Sequence, residues 1–207
     1  MMDCKKALQE AEGDLKRAAE ILRQKGLVSA GKKAGRTAAE GMIGTYVHGK
    51  TGVMIEVNCE TDFVSGNDTF KELVKNLAMQ VVANPGVEYV REDEIPAEDI
   101  EEERRLEMGR EDLASKPEEI RAKMVDGRLK KMMAERCLMN QDYIRDPSMT
   151  VEQLVADSVA KIGENIQIRR FSRFIVGEGI EGRKTGDLAN EVAEQVAKAK
   201  AEAEKKK

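Results

Sequence analysis

Tryptophan is missing from this chain of 207 residues, and histidine occurs once, at His48. A single imidazole leaves almost no room for His-based catalysis or a His-rich metal site. Cysteine is nearly as sparse. Cys4, Cys59 and Cys137 are far apart, odd in number and include no CxxC pair, so neither a zinc site nor a disulfide framework is supported. They read as small buried or half-buried hydrophobes. No apolar run approaches the length of a bilayer span, and the N-terminal MMDCKKAL lacks an apolar signal core. A cytoplasmic chain without membrane contact is the expectation. An excess of positive charge is missing too: Lys+Arg 35 against Asp+Glu 39 gives a net charge of −4, and direct nucleic-acid binding would want a basic face. Aromatics make up only 3%, with four Phe and three Tyr, so the position of each Phe carries information.

What is present is 41% hydrophobic and 36% charged residues, the profile of a folded, helix-rich chain. Residues 1–27 read as two short helices, with apolar stripes Cys4, Ala7, Leu8, Ala11 and Leu15, Ala18, Ala19, Leu22. Gly13-Asp14 breaks and caps between them, and Gly26 is expected to end the second. Residues 28–40, small, basic and Gly-rich, read as a linker. Residues 41–90 form the first part of a core. Two alternating β-branched runs, 42–48 and 53–59, are joined by GKTG as a hairpin. Asn67 or Asp68 then caps a helix with the stripe Phe70, Leu73, Val74, Leu77 and Val81, ended by Asn84-Pro85. Residues 87–90 read as a short strand.

Residues 91–140 change character. The first half is crowded with Asp and Glu, and Pro117 opens a second helix whose apolar side is Ile120, Met124, Val125, Leu129, Met132 and Met133. A charged αα-hairpin projecting into solvent is expected, its first arm too polar to be buried. Residues 141–184 are the second part of the core: a turn at Arg145-Asp146-Pro147, a helix capped by Thr150, and a returning strand over 165–176 beside the hairpin. Residues 185–207 read as a polar C-terminal helix or tail. Strands, intervening helices and one returning strand indicate an α+β fold around an antiparallel three-stranded sheet.

Several motifs invite chemistry. GTYVHGKT, residues 44–51, fits the phosphate-loop pattern G-x-x-x-x-G-K-[ST] letter for letter. That loop needs a helix N-terminus after it, whereas here another strand follows, so a hairpin turn explains the letters. GEGIEGRKT, residues 177–185, is a weaker near-match with Arg183 in the lysine slot. RRFSRF, residues 169–174, mixes cations with aromatics as RNA-binding surfaces do, but strand alternation would divide these side chains between two faces. Met132, Met133 and Met139 read as packing, and the carboxylates of 92–103 lack the Gly bend and spacing of a cation loop. Thr61-Asp62-Phe63-Val64 remains, an acid beside an aromatic in a short connection. On residues alone the ordinary place for Phe63 is under the following helix. The alternative is a recognition loop, where an exposed aromatic anchors in a partner's pocket.

Four stretches in order resemble bacterial-type elongation factor Ts: MMDCKKALQEAEGDLKRAAEILRQKG, VNCETDFV, KPEEIRAKMVDGRLKK and KIGENIQIRRFSRFIVGEGIE. The likeness spans residue 1 to about 190. It implies a UBA-like N-terminal module, a sheet-and-helix core, and a nucleotide exchange factor rather than an enzyme. The implied partner is elongation factor Tu in its GDP state, from which GDP leaves so that GTP can load. No cofactor of the chain's own is implied, since the GDP and Mg²⁺ acted on belong to the partner. Carried over by motif, Thr61, Asp62, Phe63 and Val64 form the segment that dislocates Mg²⁺, with Phe63 wedging between helices of the GTPase and Asp62 disturbing the Mg²⁺ and phosphate surroundings. Met1, Met2 and Lys5 would dock on the same GTPase domain.

The likeness has two departures. The family usually carries another helix and a Thr-Gly-Ala-Gly turn before MMDC, so either the start is misassigned or trimmed, or the N-terminal module is incomplete here. Longer members hold two copies of the core unit, whereas this chain has room for one and resembles the short subclass. A homodimer pairing the final strand across a two-fold axis would supply the second half.

Overall fold

A computed structural model describes residues 2–114 and 117–180. Met1 and the C-terminal helix expected over 185–207 lie outside the described residues, as does the second half of the 177–185 motif. The chain divides into two units, Met1–Phe174 and Ile175–Lys207. The described part of the second unit is the end of the last strand and a turn in which Gly177 and Gly179 take positive φ.

Asp14 sits where the first two helices meet, α1 (Met2–Glu10) and α2 (Leu15–Lys33). Its carboxylate accepts the free N–H groups of Lys16 and Arg17, after a turn in which Glu12 and Gly13 adopt positive φ. Ala7, Ala11 and Ala18 are buried between the helices with Ile21 and Leu22 against them. Small side chains let the helices approach closely. Leu15 of the expected stripe is instead 75% exposed.

Gly26 does not end α2, which continues to Lys33 through the first part of the stretch read as linker. The reason is packing. Gly26 is buried, and a Cβ built on it would lie 3.5 Å from the Ala160 Cβ of α8 (Val151–Ile162). Gly26 is a buried contact with α8 at ordinary van der Waals distance rather than a left-handed cap, and Lys32 and Lys33 at the true end favour the helix dipole.

The core is an α+β unit with an antiparallel three-stranded sheet. β1 (Glu40–His48) and β2 (Thr51–Cys59) pair from Glu40↔Cys59 to His48↔Thr51, and β5 (Gln167–Ile175) lies beside β2. The two-residue turn Gly49-Lys50 has Gly49 at φ 57, the first-position glycine that such hairpins require. The phosphate-loop letters are therefore strand, turn and strand. β2 alternates strictly: Val53, Ile55, Val57 and Cys59 are buried, and Met54 between them is exposed.

Onto that inner face packs α4 (Asp68–Ala83), begun by Asn67, whose side chain accepts the Thr69 N–H at 2.8 Å. Phe70, Leu73, Val74, Leu77 and Val81 are buried as the periodicity predicts, each worth about 1.5–3 kcal/mol relative to exposure. Gly44 of β1 admits the helix: a Cβ there would stand 2.3 Å from Val74 Cγ1. α8 closes the same core with Val151, Val155 and Val159, and Thr150 and Gln153 form a reciprocal capping box at its start.

The hairpin of 91–140 has its own small core. α5 (Ala97–Met108) has no buried residue, α6 (Glu111–Ala114) contributes Leu113, and α7 (Glu118–Arg136) contributes Val125 and Leu129. Ile120 is exposed, Met132 packs here, and Met139 packs on the main core. Arg128 bridges Glu107 and Asp112, and Arg104 meets Asp126 across the arms. Two expectations near its base need correction. Residues 87–90 form a single parallel bridge, Tyr89↔Cys137, rather than a strand, although Val87 and Val90 are buried. Arg145-Asp146-Pro147 is not a free turn but enters a small ribbon, β3 (Asp142–Tyr143) against β4 (Asp146–Thr150). Pro147 is tolerated there because a two-stranded ribbon consists of edges. The buried Gln80 carboxamide secures it, donating to the Asp142 carbonyl at 2.9 Å and accepting the Ile144 N–H at 2.8 Å.

Candidate functional site

Thr61 leaves β2 in extended geometry, and the chain then turns into a single helical turn, α3 (Asp62–Ser65). One turn of helix has no stability of its own. This one is closed by the Ser65 hydroxyl and the Gly66 N–H, both donating to the Asp62 carbonyl, at 2.7 and 3.0 Å. The Asn67 N–H donates to the Val64 carbonyl at 3.0 Å, tying the turn to the start of α4.

Within that turn the four residues separate by direction. Val64 packs against the main core. Asp62 is exposed, and Phe63 is 87% exposed, the most exposed of the large apolar side chains described. Burial under α4, the expectation from residues alone, is thus overturned. Phe70 already fills that space at 0% exposure, and a helical turn anchored by Val64 sends Phe63 the other way. An exposed Phe on a constrained turn leaves a large apolar area uncovered, which is how contact anchors are presented.

Thr61 forms the base. Its N–H donates to Glu164 Oε2 at 3.0 Å and its hydroxyl to Glu164 Oε1 at 2.7 Å, across 103 positions of sequence. Glu60 answers in the other direction, its carboxylate accepting the Asn165 N–H at 2.6 Å. The Asn165 side chain, itself buried, donates to the Arg36 carbonyl at 2.7 Å, so the chain leaving α2 is tied to the same turn. Cys59, fully buried, donates its thiol to the Thr61 carbonyl at 3.1 Å. Burial pushes that thiol's pKa up, with the negative charge of Glu164 adding to it. Sequence reasoning missed Glu164 as a partner of Thr61. No spacing rule links a residue after one helix to a residue after a distant strand.

Met2 and Lys5 lie elsewhere, on α1, where they line a shallow apolar trough with Cys4 and Leu8; both side chains are exposed. The RRFSRF segment departs from strict alternation. Neighbouring Arg169 and Arg170 both reach Glu56 of β2, at 2.9 and 2.7 Å, and hold its carboxyl below its usual pKa. These cations are engaged within the sheet. Phe171 packs on the core while Phe174 is exposed.

Among the described residues no group of three or more His, Cys, Asp or Glu side chains is placed to hold a metal ion, and no helix is long and apolar enough to cross a membrane. The fold and site define a class with a small α+β core that carries an exposed aromatic on a fixed turn. A family profile described as Elongation factor TS matches residues 28–178, from within α2 to just beyond β5. Elongation factor Ts of Synechococcus elongatus is 58% identical over 201 residues, covering 96% of this chain and 90% of that protein. Those of Picosynechococcus sp. and Rippkaea orientalis are 60% and 54% identical, over 95% and 99% of this chain and 90% and 82% of theirs. The chain belongs to the elongation factor Ts family.

Proposed function

We propose that the chain is a guanine-nucleotide exchange factor for elongation factor Tu, acting in the cytoplasm during translation elongation. It binds the GDP-bound GTPase and disturbs its Mg²⁺ and phosphate site with the Thr61–Val64 turn, and GDP leaves so that GTP can load. The observation that carries this reading is Phe63, apolar, 87% exposed and held on a turn whose base is fixed to the core. Phe63 enters between helices of the partner, and the exposed Asp62 carboxylate competes for the surroundings of the cation. Because Mg²⁺ joins protein to phosphate oxygens, loss of its coordination is an effective lever on nucleotide affinity. The thermodynamics is linkage. A factor that prefers the nucleotide-free partner weakens GDP by the same factor, whatever the route. Met2 and Lys5 on α1 supply a second contact on the same GTPase domain. The chain contributes no cofactor, because GDP and Mg²⁺ belong to the partner.

A pull-down tests this directly. Immobilised chain mixed with GDP-loaded elongation factor Tu should retain the GTPase without nucleotide, and added GTP or GDP should release it. Retention of the GTPase with its GDP still bound would contradict exchange.

A further inference from the structure

We propose that Glu164 is the positioning residue of the Asp62–Phe63 probe, a role that rests on the exchange reading above. Four observations lead to it. Thr61 occupies the N-cap position of α3, yet its side chain makes no cap bond there. A threonine at that position ordinarily spends its oxygen on the helix's own N–H groups. Here the hydroxyl is directed to Glu164 at 2.7 Å, and the Thr61 N–H joins it at 3.0 Å, so one carboxylate takes both donors of one residue.

The carboxylate is also fixed in place. Gly163, at φ 93, ends α8 in the left-handed conformation and turns the chain toward α3. Asn165, on the other side, is held by Glu60 and by the Arg36 carbonyl. Glu164 is thus fastened from both neighbours before it reaches Thr61.

The probe itself points away from the core, so its direction is set by what holds the two ends of the turn, Thr61 on one side and Val64 on the other. Val64 supplies an apolar anchor, and its carbonyl accepts the Asn67 N–H at 3.0 Å on the side of α4. Removing the carboxylate leaves the turn tied at Val64 and, through the Thr61 carbonyl, to the Cys59 thiol, but strips Thr61 of the one partner that holds both its N–H and its hydroxyl. The apolar core of α4, α8 and the sheet is made of side chains other than Glu164 and Thr61, so it stays in place when this bond is removed.

Stopped-flow release of fluorescent GDP from elongation factor Tu, titrated with this chain, separates a maximal release rate from a half-saturating concentration. Glu164→Ala should lower the maximal rate by roughly tenfold to a hundredfold, the scale on which misplacement by about 1 Å acts, with little change in half-saturation or Tm. Glu164→Gln should restore most of it: its carbonyl accepts the Thr61 N–H and its amide donates to the hydroxyl. Thr61→Val, which deletes the hydroxyl bond alone, should show a smaller loss of the same kind and keeps the test available if Glu164→Ala folds poorly. In a Phe63→Ala background, Glu164→Ala should cost clearly less, since only Asp62 is left to be positioned. A wild-type maximal rate for Glu164→Ala overturns the proposal, as does Gln behaving like Ala or an equal loss in the Phe63→Ala background. If Phe63→Ala itself releases GDP normally, the exchange reading fails and the positioning role with it.

Discussion

Two phenylalanines of one segment meet opposite fates. Phe63 is 87% exposed and Phe70 is fully buried. Phe70→Ala should cost about 3–5 kcal/mol of stability, as large-to-small changes in a packed core do. Phe63→Ala should shift stability by less than about 0.5 kcal/mol, since nothing folded depends on it. Thermal melts of the two variants give the contrast, and a marked loss for Phe63→Ala would show it buried. The thiols divide in the same way. Cys4 is exposed while Cys59 and Cys137 are buried, so a thiol reagent should label Cys4 quickly and the other two only as the chain opens. Burial pushes the Cys137 thiol up from its ordinary value to about 11. Its folded pKa lies above its unfolded one, so its contribution to stability is complete below about pH 9 and lost toward pH 11. Tm should decline over that range, and less so in Cys137→Ala.

At the scale of elements, the periodic stripe of α4 and the alternation of β2 made both legible in the sequence, because burial on one face is written directly into residue order. The hairpin turn was legible for a similar reason, its glycine being required locally. Long-range conditions were not legible. Gly26 looks like a helix end and is a packing contact with Ala160; Gly44 looks like a phosphate-loop glycine and is the gap that admits Val74. Neither partner is near in sequence. Gly44→Ala should therefore destabilise by about 1–3 kcal/mol through overpacking, measured by denaturant unfolding, with the paired change Val74→Ala recovering part of it. Of the candidate site, the residues came from likeness and their exposure came from the structure. The Glu164–Thr61 bond that secures them had no sequence signal.

For the whole molecule, Glu56 is one of the carboxylates, with Glu107, Asp112 and Asp146, whose pKa values are held low and whose protonation weakens the fold in acid. The Arg169 and Arg170 hydrogen bonds hold its carboxyl below the usual value, so its contribution is present above about pH 4.3 and lost as pH falls toward the lower folded value. Glu56→Gln should lower Tm at neutral pH, where the contribution is present, and change it little in acid, so the acid limb of a Tm-versus-pH curve flattens. The expected homodimer also belongs at this scale and remains a proposal. β5 is one edge of the sheet, and Ile43 and Val47 of β1, the opposite edge, and Met54 of the central β2 are exposed. Sedimentation at working concentration should give twice the chain mass, and a monomer would end that proposal. The central claim is narrower: an exposed aromatic on a fixed turn opens a partner's nucleotide site. Its most direct test is the rate of fluorescent GDP release from elongation factor Tu, measured with the intact chain and with Phe63→Ala at equal fold. The account predicts acceleration by the former and a strongly blunted rate with the latter. Equal acceleration by both would contradict it.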